Sequence, residues 1–198
     1  MTLKKDLKIQ SNTSSKLLAS FNVNITRLSI PEIMVIEPEI FYDDRGCFFE
    51  SFNQKKFNNL LGREVIFVQD NFSKSKKGVL RGLHYQIHPN TQEKLVRVLR
   101  GKIFVVALDI RDNSKTKGKW TSYILTAENK LQIWVPEGFA HGYLTLADDT
   151  EVFYKTSNFY HKENERGINP FDKRLKIDWP YFDDYLINER DKNLPSLT

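Results

Sequence analysis

The sequence predicts an all-β protein, a sandwich or barrel of short strands with a few peripheral helices. Three observations carry that expectation. From about Ile25 onward, short runs rich in Val, Ile, Leu, Phe and Tyr recur, and many alternate with polar residues. Turn signals separate them at Gly101, Asn113-Ser114, Gly118 and Asp148-Asp149. Helical periodicity is scarce, and many short strands with few helices mark sandwiches and barrels.

Taken in order, residues 1–24 are polar and rich in Ser, Asn and Lys, and are expected to form a flexible lead-in or an arm that orders on a partner. Residues 25–198 are expected to form one domain. A short helix is predicted over Asn53–Leu61, closed by Gly62. Strands are predicted over Val65–Gln69, Gly78–Gln86, Lys94–Arg100 and Lys102–Ile110. Four more follow at Trp120–Leu125, Leu131–Val135, Gly142–Leu146 and Thr150–Thr156. The Arg100-Gly101-Lys102 junction reads as a tight turn or bulge, and Tyr181–Arg190 as a weaker helical or turn region.

Composition narrows the function classes. With 40% hydrophobic and 28% charged residues, the chain has the balance of a soluble globular protein. No apolar run approaches the ~18–20 residues of a membrane helix, and the Met1-Thr-Leu-Lys-Lys start lacks the apolar core of a signal peptide. The one cysteine, Cys47, excludes an internal disulfide and a Cys-rich zinc site, and a cytoplasmic address is expected. Lys plus Arg number 30 and Asp plus Glu 25, a net charge of +5. That balance favours an anionic partner without choosing among nucleic acid, membrane surface and phosphorylated metabolite. Nothing beyond charge supports nucleic acid or membrane, and neither is expected.

Two histidine motifs sharpen the fold. In Gly78-Val-Leu-Arg81-Gly-Leu-His84-Tyr-Gln86, a glycine precedes a strand histidine, and Pro136-Glu-Gly138-Phe-Ala-His141 places a second histidine further along. Both resemble the paired motifs of cupins, small jelly-roll barrels also described as double-stranded β-helices. The resemblance implies that His84 and His141 lie on paired strands and point into the barrel mouth. A metal-binding cupin also needs a further His and a Glu, where this chain has Gln86 and Lys94. A lysine ammonium repels a divalent ion at close range, and His88 sits beside Pro89 in a loop. A pocket without metal or other cofactor is therefore expected.

The groups expected to converge are His84, His141, Lys94, Arg81, Tyr154, Arg45 and Glu50. Breaking a C–H bond beside a ketone requires a base with pKa near 7, a cation or donor for the enolate oxygen, and an acid to return a proton. Imidazole, Lys94 and a phenol such as Tyr154 meet these needs. If acid and base address opposite faces of the carbon, the outcome is epimerisation.

An ordered series of segments resembles the dTDP-4-dehydrorhamnose 3,5-epimerase family from about Pro31 to the C-terminus. The segments are Phe41–Ser51 with Arg45 and Glu50, Val68–Ser75 with Gln69 and Asn71, and Gly78–Gln86. They continue through Gln92–Val98, Leu108–Arg111, Ala127–Gly142 and Phe153–Lys155. The resemblance implies that His84 is the base, Asp191 the carboxylate that orients it, Lys94 the enolate stabiliser and Tyr154 the acid. It implies that Arg45, Glu50, Gln69, Asn71, Arg81, Trp134, His141 and Tyr160 line the nucleotide-sugar site. It also implies a homodimer, in which the Arg45–Glu50 arm reaches the neighbouring subunit's pocket. Cys47, Val105 and Phe159 depart from the family's usual residues, and none coincides with a proton-transfer group.

The expected reaction converts dTDP-4-dehydro-6-deoxy-D-glucose to dTDP-4-dehydro-L-rhamnose through enolates at C3 and C5. Two alternatives stay open: a single-carbon epimerase of a related nucleotide-linked 4-keto sugar, and a non-catalytic cupin that binds such sugars.

Overall fold

The computed structural model describes residues 24–197. The lead-in expected over residues 1–24 lies, Asn24 apart, outside the described residues. The described part begins with β1 (Asn24–Arg27), β2 (Met34–Glu37), β3 (Phe41–Asp43), β4 (Gly46–Phe48) and the helix α1 (Gln54–Leu61). It continues with β5 (Gln69–Ser75), β6 (Leu80–Gln86), β7 (Lys94–Arg100), β8 (Lys102–Asp109) and β9 (Trp120–Thr126). Then come β10 (Gln132–Val135), β11 (Phe139–Thr145), β12 (Thr150–Thr156), β13 (Glu165–Gly167) and α2 (Glu189–Lys192).

These strands form a six-stranded sheet in the order β1-β2-β10-β7-β12-β5 and a five-stranded sheet in the order β13-β6-β11-β8-β9, with β3-β4 as a separate hairpin. From β5 to β12 the chain passes repeatedly from one sheet to the other, and only the β8–β9 connection stays within one. This is the jelly-roll sandwich that the two histidine motifs predict. Gly101 marks one such passage, between β7 and β8. Its φ is +79°, and a Cβ there would stand 2.4 Å from the Thr150 hydroxyl oxygen, so glycine suits the corner on both counts.

Alternation along each strand assigns its side chains to layers. Between the sheets lie Val35, Val96, Val98, Val105, Ala107, Ile133, Val135 and Val152. The intervening residues of β8 and β11, among them Val106, Leu108, Ala140 and Leu144, face outward and are covered by Ile168, Leu175 and Trp179 from the C-terminal segment. Both strands are therefore apolar on two faces. On the outside of the six-stranded sheet, α1 buries Phe57 against Met34, Ile36, Leu95 and Trp134. The Asn53 side chain accepts the Lys56 amide at the start of this helix, and Gly62, at φ +67°, ends it.

The structure moves three predicted elements. Residues 65–68 are not a strand: Val65 packs into the cluster beneath α1, and pairing begins only at Gln69. β11 starts at Phe139 rather than at Gly142. The C-terminal helix is a single turn at Glu189–Lys192, later than the Tyr181–Arg190 region predicted for it.

Candidate active site

The site lies between the two sheets, and its first component comes from an irregular strand. Arg81 and His84 are three residues apart, so regular alternation would send them to opposite faces. β6 is not regular: His84 pairs with His141, while Arg81 already pairs with Tyr143. Gly82 and Leu83 thus stand opposite the single residue Gly142, and the extra residue turns both Arg81 and His84 inward. The two glycines permit the close approach. A Cβ on Gly82 would lie 2.7 Å from the Cα of Gly142, and one on Gly142 would lie 2.6 Å from the Arg81 carbonyl oxygen.

The bulge also captures a carboxylate. Asp191, 1% exposed, accepts the Gly82 amide on one oxygen at 3.0 Å and meets His84 Nε2 with the other at 2.8 Å. α2 sets its position, since the Asn188 side chain caps the helix by accepting the Asp191 amide at 2.6 Å. Burial pushes Asp191 toward its neutral form, but the His84 and Gly82 hydrogen bonds outweigh that and hold the group below the usual carboxylate range. His84 is thereby fixed through Nε2, which leaves Nδ1 as its free ring nitrogen. Its side chain is 27% exposed, enough for a ligand to reach.

Lys94 opens β7 in the facing sheet, and its Nζ stands 3.4 Å from the His84 carbonyl oxygen. Burial pulls its ammonium down to about 8, and the Glu165 carboxylate partly opposes that shift. His141 is buried beside both groups. Burial, then the charges of Lys94 and His84, hold it well below the ordinary histidine range, so it is a neutral imidazole. Its Nε2 is buried without a hydrogen-bond partner among the described residues.

Tyr154 projects from β12, in the sheet opposite His84. It is paired with Asn71 on one side and Val96 on the other, so all three share the inner face. Its phenol is pushed up chiefly by burial, which keeps the proton on oxygen. Gln69 and Asn71 follow on the inner face of β5, joined side chain to side chain at 3.0 Å, and Gln69 also accepts the Tyr160 amide at 3.0 Å. Arg81 donates to the hydroxyl of Ser75.

Two residues of this group were not anticipated. Glu165 on β13 accepts the Tyr160 hydroxyl at 2.7 Å and pairs with Arg190 at 2.6 Å. Its charge reaches His84, Lys94 and Tyr154 alike. In the sequence both look like ordinary surface charges, and the one signal was that Arg190 adjoins Asp191.

Other expected site residues lie elsewhere. Trp134 sits outside the six-stranded sheet, edge-on to Phe57, with its indole N–H donated to Glu93 at 3.0 Å. Its neighbours Ile133 and Val135 take the inner face, so alternation directs Trp134 away from Lys94 and corrects its expected place at the substrate. Arg45 and Glu50 lie on and beside the β3–β4 hairpin, where Arg45 pairs with Asp43 and Glu50 with Lys56. Neither joins the His84 group within one chain.

Gln86 occupies the position of a second metal-binding histidine. Its amide donates to the Asn90 and Phe159 carbonyls and accepts the His161 amide, so it is a strut for the surrounding loops. Among the described residues no cluster of three or more His, Cys, Asp or Glu side chains could hold a metal ion. None of the described helices is long and apolar enough to cross a membrane.

The alkaline limb of kcat/KM should report Lys94, because this parameter follows the free enzyme. The ammonium is present below about pH 8 and is lost above it. Activity should therefore fall as pH rises through 8, and Lys94→Arg, whose guanidinium stays charged, should remove that limb. Initial rates from pH 7 to 10 check this; an unchanged limb in the variant would detach it from Lys94.

Comparison with known proteins places the arrangement. A family model described as dTDP-4-dehydrorhamnose 3,5-epimerase matches residues 27–198. A protein of that description from Shigella flexneri is 54% identical over 171 residues, covering 86% of this chain and 94% of its own. The crystal structure of dTDP-6-deoxy-D-glucose-3,5-epimerase from Legionella pneumophila, in complex with dTDP-4-keto-L-rhamnose, superposes with a TM-score of 0.85 at 48% identity and covers 88% of this chain and 93% of that one. A 3'-monoepimerase from Streptomyces bikiniensis in complex with dTDP-quinovose gives a TM-score of 0.81 at 34% identity, covering 86% of each chain.

Proposed function

The chain belongs to the dTDP-4-dehydrorhamnose 3,5-epimerase family, and from that premise we propose how its own residues perform the reaction. The protein is an isomerase that converts dTDP-4-dehydro-6-deoxy-D-glucose to dTDP-4-dehydro-L-rhamnose. His84 removes a proton from the carbon beside the C4 ketone, and the electron pair moves onto the carbonyl oxygen as an enolate. The Lys94 ammonium stabilises that oxygen. Tyr154 returns a proton to the carbon from the other side. The same cycle at C5 and at C3 inverts both centres. Asp191 holds the imidazole in one orientation through its hydrogen bond to Nε2.

One observation carries this reading. The imidazole with its buried carboxylate projects from the five-stranded sheet, and the phenol projects from the six-stranded sheet facing it. A flat enolate between them meets base and acid on opposite faces. Gln69, Asn71, Arg81, His141 and Tyr160 are placed around this pair to bind the nucleotide sugar, with Glu165 and Arg190 beside Tyr160.

The test is solvent deuterium. In D2O, the protein acting on dTDP-4-dehydro-6-deoxy-D-glucose should label C3 and C5 and give the L-rhamno product by NMR. Saturable binding with no label would leave only a sugar-binding barrel. The likeness to a 3'-monoepimerase favours a second reading, in which one carbon alone is inverted. Product stereochemistry decides between one centre and two.

A homodimer completes the site. Arg45 is 90% exposed, and Phe41, Tyr42 and Phe48 of the same hairpin are exposed as well. An arm so exposed and aromatic is suited to cover by another chain. Reaching the partner's cavity, it adds Arg45 and Glu50 to that site. Sedimentation should give a dimer at assay concentrations, and a fully active monomer would remove the arm from the mechanism.

A further inference from the structure

We propose that Ser75 is a positioning residue that aims the Arg81 guanidinium at the anionic part of the substrate, and that serine fits this role because it holds the cation without neutralising it. The proposal rests on the reading above, in which Arg81 binds the nucleotide sugar.

Ser75 closes β5 and is buried. Its hydroxyl oxygen accepts two hydrogen bonds from Arg81, from Nε at 3.3 Å and from Nη2 at 3.1 Å. Arg81 has no acidic partner among the described residues. Several other guanidinium groups are paired with acids, whereas Arg27 and Arg166 bond backbone carbonyls and Arg97 lies over the Phe49 ring. Arg63 pairs with Glu93, Arg111 with Asp109, Arg174 with Asp172 and Arg190 with Glu165. In those pairs a carboxylate fixes the group and cancels its charge. At Arg81 a neutral hydroxyl fixes it and leaves the full positive charge for a ligand. A guanidinium has five N–H donors; two point at Ser75, and three remain for phosphate oxygens, which the planar fork suits.

The strand supplies its own control. Ser73, two residues earlier on the same face, hydrogen-bonds the Tyr143 hydroxyl at 2.8 Å. Tyr143 is the register partner of Arg81. Two neighbouring serine hydroxyls therefore tie β5 to the facing sheet, and only that of Ser75 engages the guanidinium. A general loosening of β5 should follow from losing either; a loss of aim should follow from losing Ser75 alone.

The experiment measures kcat and KM, with the inhibition constant of dTDP as a probe that carries the diphosphate without the keto sugar. Arg81→Ala should weaken dTDP strongly. Ser75→Ala should raise KM and the dTDP constant about tenfold, the scale of a hydrogen bond to a charged group. Its kcat should stay within about twofold, the pattern of lost uniform binding. Ser75→Thr, which keeps the hydroxyl, should restore binding. Ser75→Asp, which anchors but neutralises, should bind dTDP no better than Ser75→Ala. Ser73→Ala should leave the dTDP constant near the parent value. If Ser75→Ala does not fold, Ser75→Cys serves in its place, as a near-isosteric side chain with a weak acceptor. Unchanged dTDP binding in the Ser75 variant while Arg81→Ala weakens it overturns this proposal alone. So does an equal loss in Ser73→Ala. Unchanged binding in Arg81→Ala removes the underlying assignment of Arg81 as well.

Discussion

Replacing His84 with alanine should lower turnover by about two to four orders of magnitude, the usual cost of removing a general base. The geometry leaves no ready substitute. Asp191 is the nearest carboxylate, but it is buried, held by the Gly82 amide and directed at the imidazole rather than at the cavity. His141 is neutral and buried on the strand paired with that of His84, and among the described residues has no carboxylate to orient it. The variant should lose deuterium incorporation at C3 and C5 together, because the proposed mechanism assigns one base to both carbons. Circular dichroism and thermal melting should accompany the rates, because the substitution leaves a buried carboxylate short of one partner. A folded His84→Ala protein that exchanges at the parent rate would overturn the base assignment and with it the role given to Asp191.

The regular part of the fold was legible in the sequence for a simple reason. β7, β8, β9 and β12 are apolar and punctuated by turns, and they appear within a residue or so of where pattern places them. β5 was not legible, and the cause is functional. Its inward residues Gln69, Asn71, Ser73 and Ser75 face the cavity and its outward ones include Asp70 and Lys74, so Gln-Asp-Asn-Phe-Ser-Lys-Ser carries little apolar signal. The apolar run before it, Val65 to Val68, drew the strand assignment, although Val65 serves the cluster under α1. Trp134 shows a related limit. Every residue of Gln132–Val135 is buried, so composition does not reveal which parity faces the cavity; only register does. The pairing of His84 with His141 was legible through the resemblance of their two motifs to those of cupins, whereas the bulge that brings Arg81 to the same face depends on three-dimensional register. Asp191 was placed by family resemblance, and Glu165 with Arg190 required the fold.

Removing the acid should separate two events that removing the base abolishes together. Tyr154→Phe deletes one oxygen from the face opposite His84 and leaves the ring that packs against the core between the sheets. Burial holds the parent phenol in its protonated form, so at neutral pH it is ready to give a proton and poorly suited to take one. Among the described residues its hydroxyl has no hydrogen-bond partner, so the loss of the oxygen should cost little stability. His84, Asp191 and Lys94 remain in place. Proton abstraction should therefore continue, and the enolate should collapse by recovering a proton or deuteron from the His84 side, with the original configuration retained. The expected result in D2O is label at the reactive carbons with formation of the inverted product reduced by about two to four orders of magnitude. NMR of the recovered sugar reads both quantities in one sample. Loss of exchange and inversion in equal proportion would mean that the phenol acts before the enolate forms. Inversion at the parent rate would place the proton donor elsewhere on the six-stranded sheet and end the assignment of Tyr154.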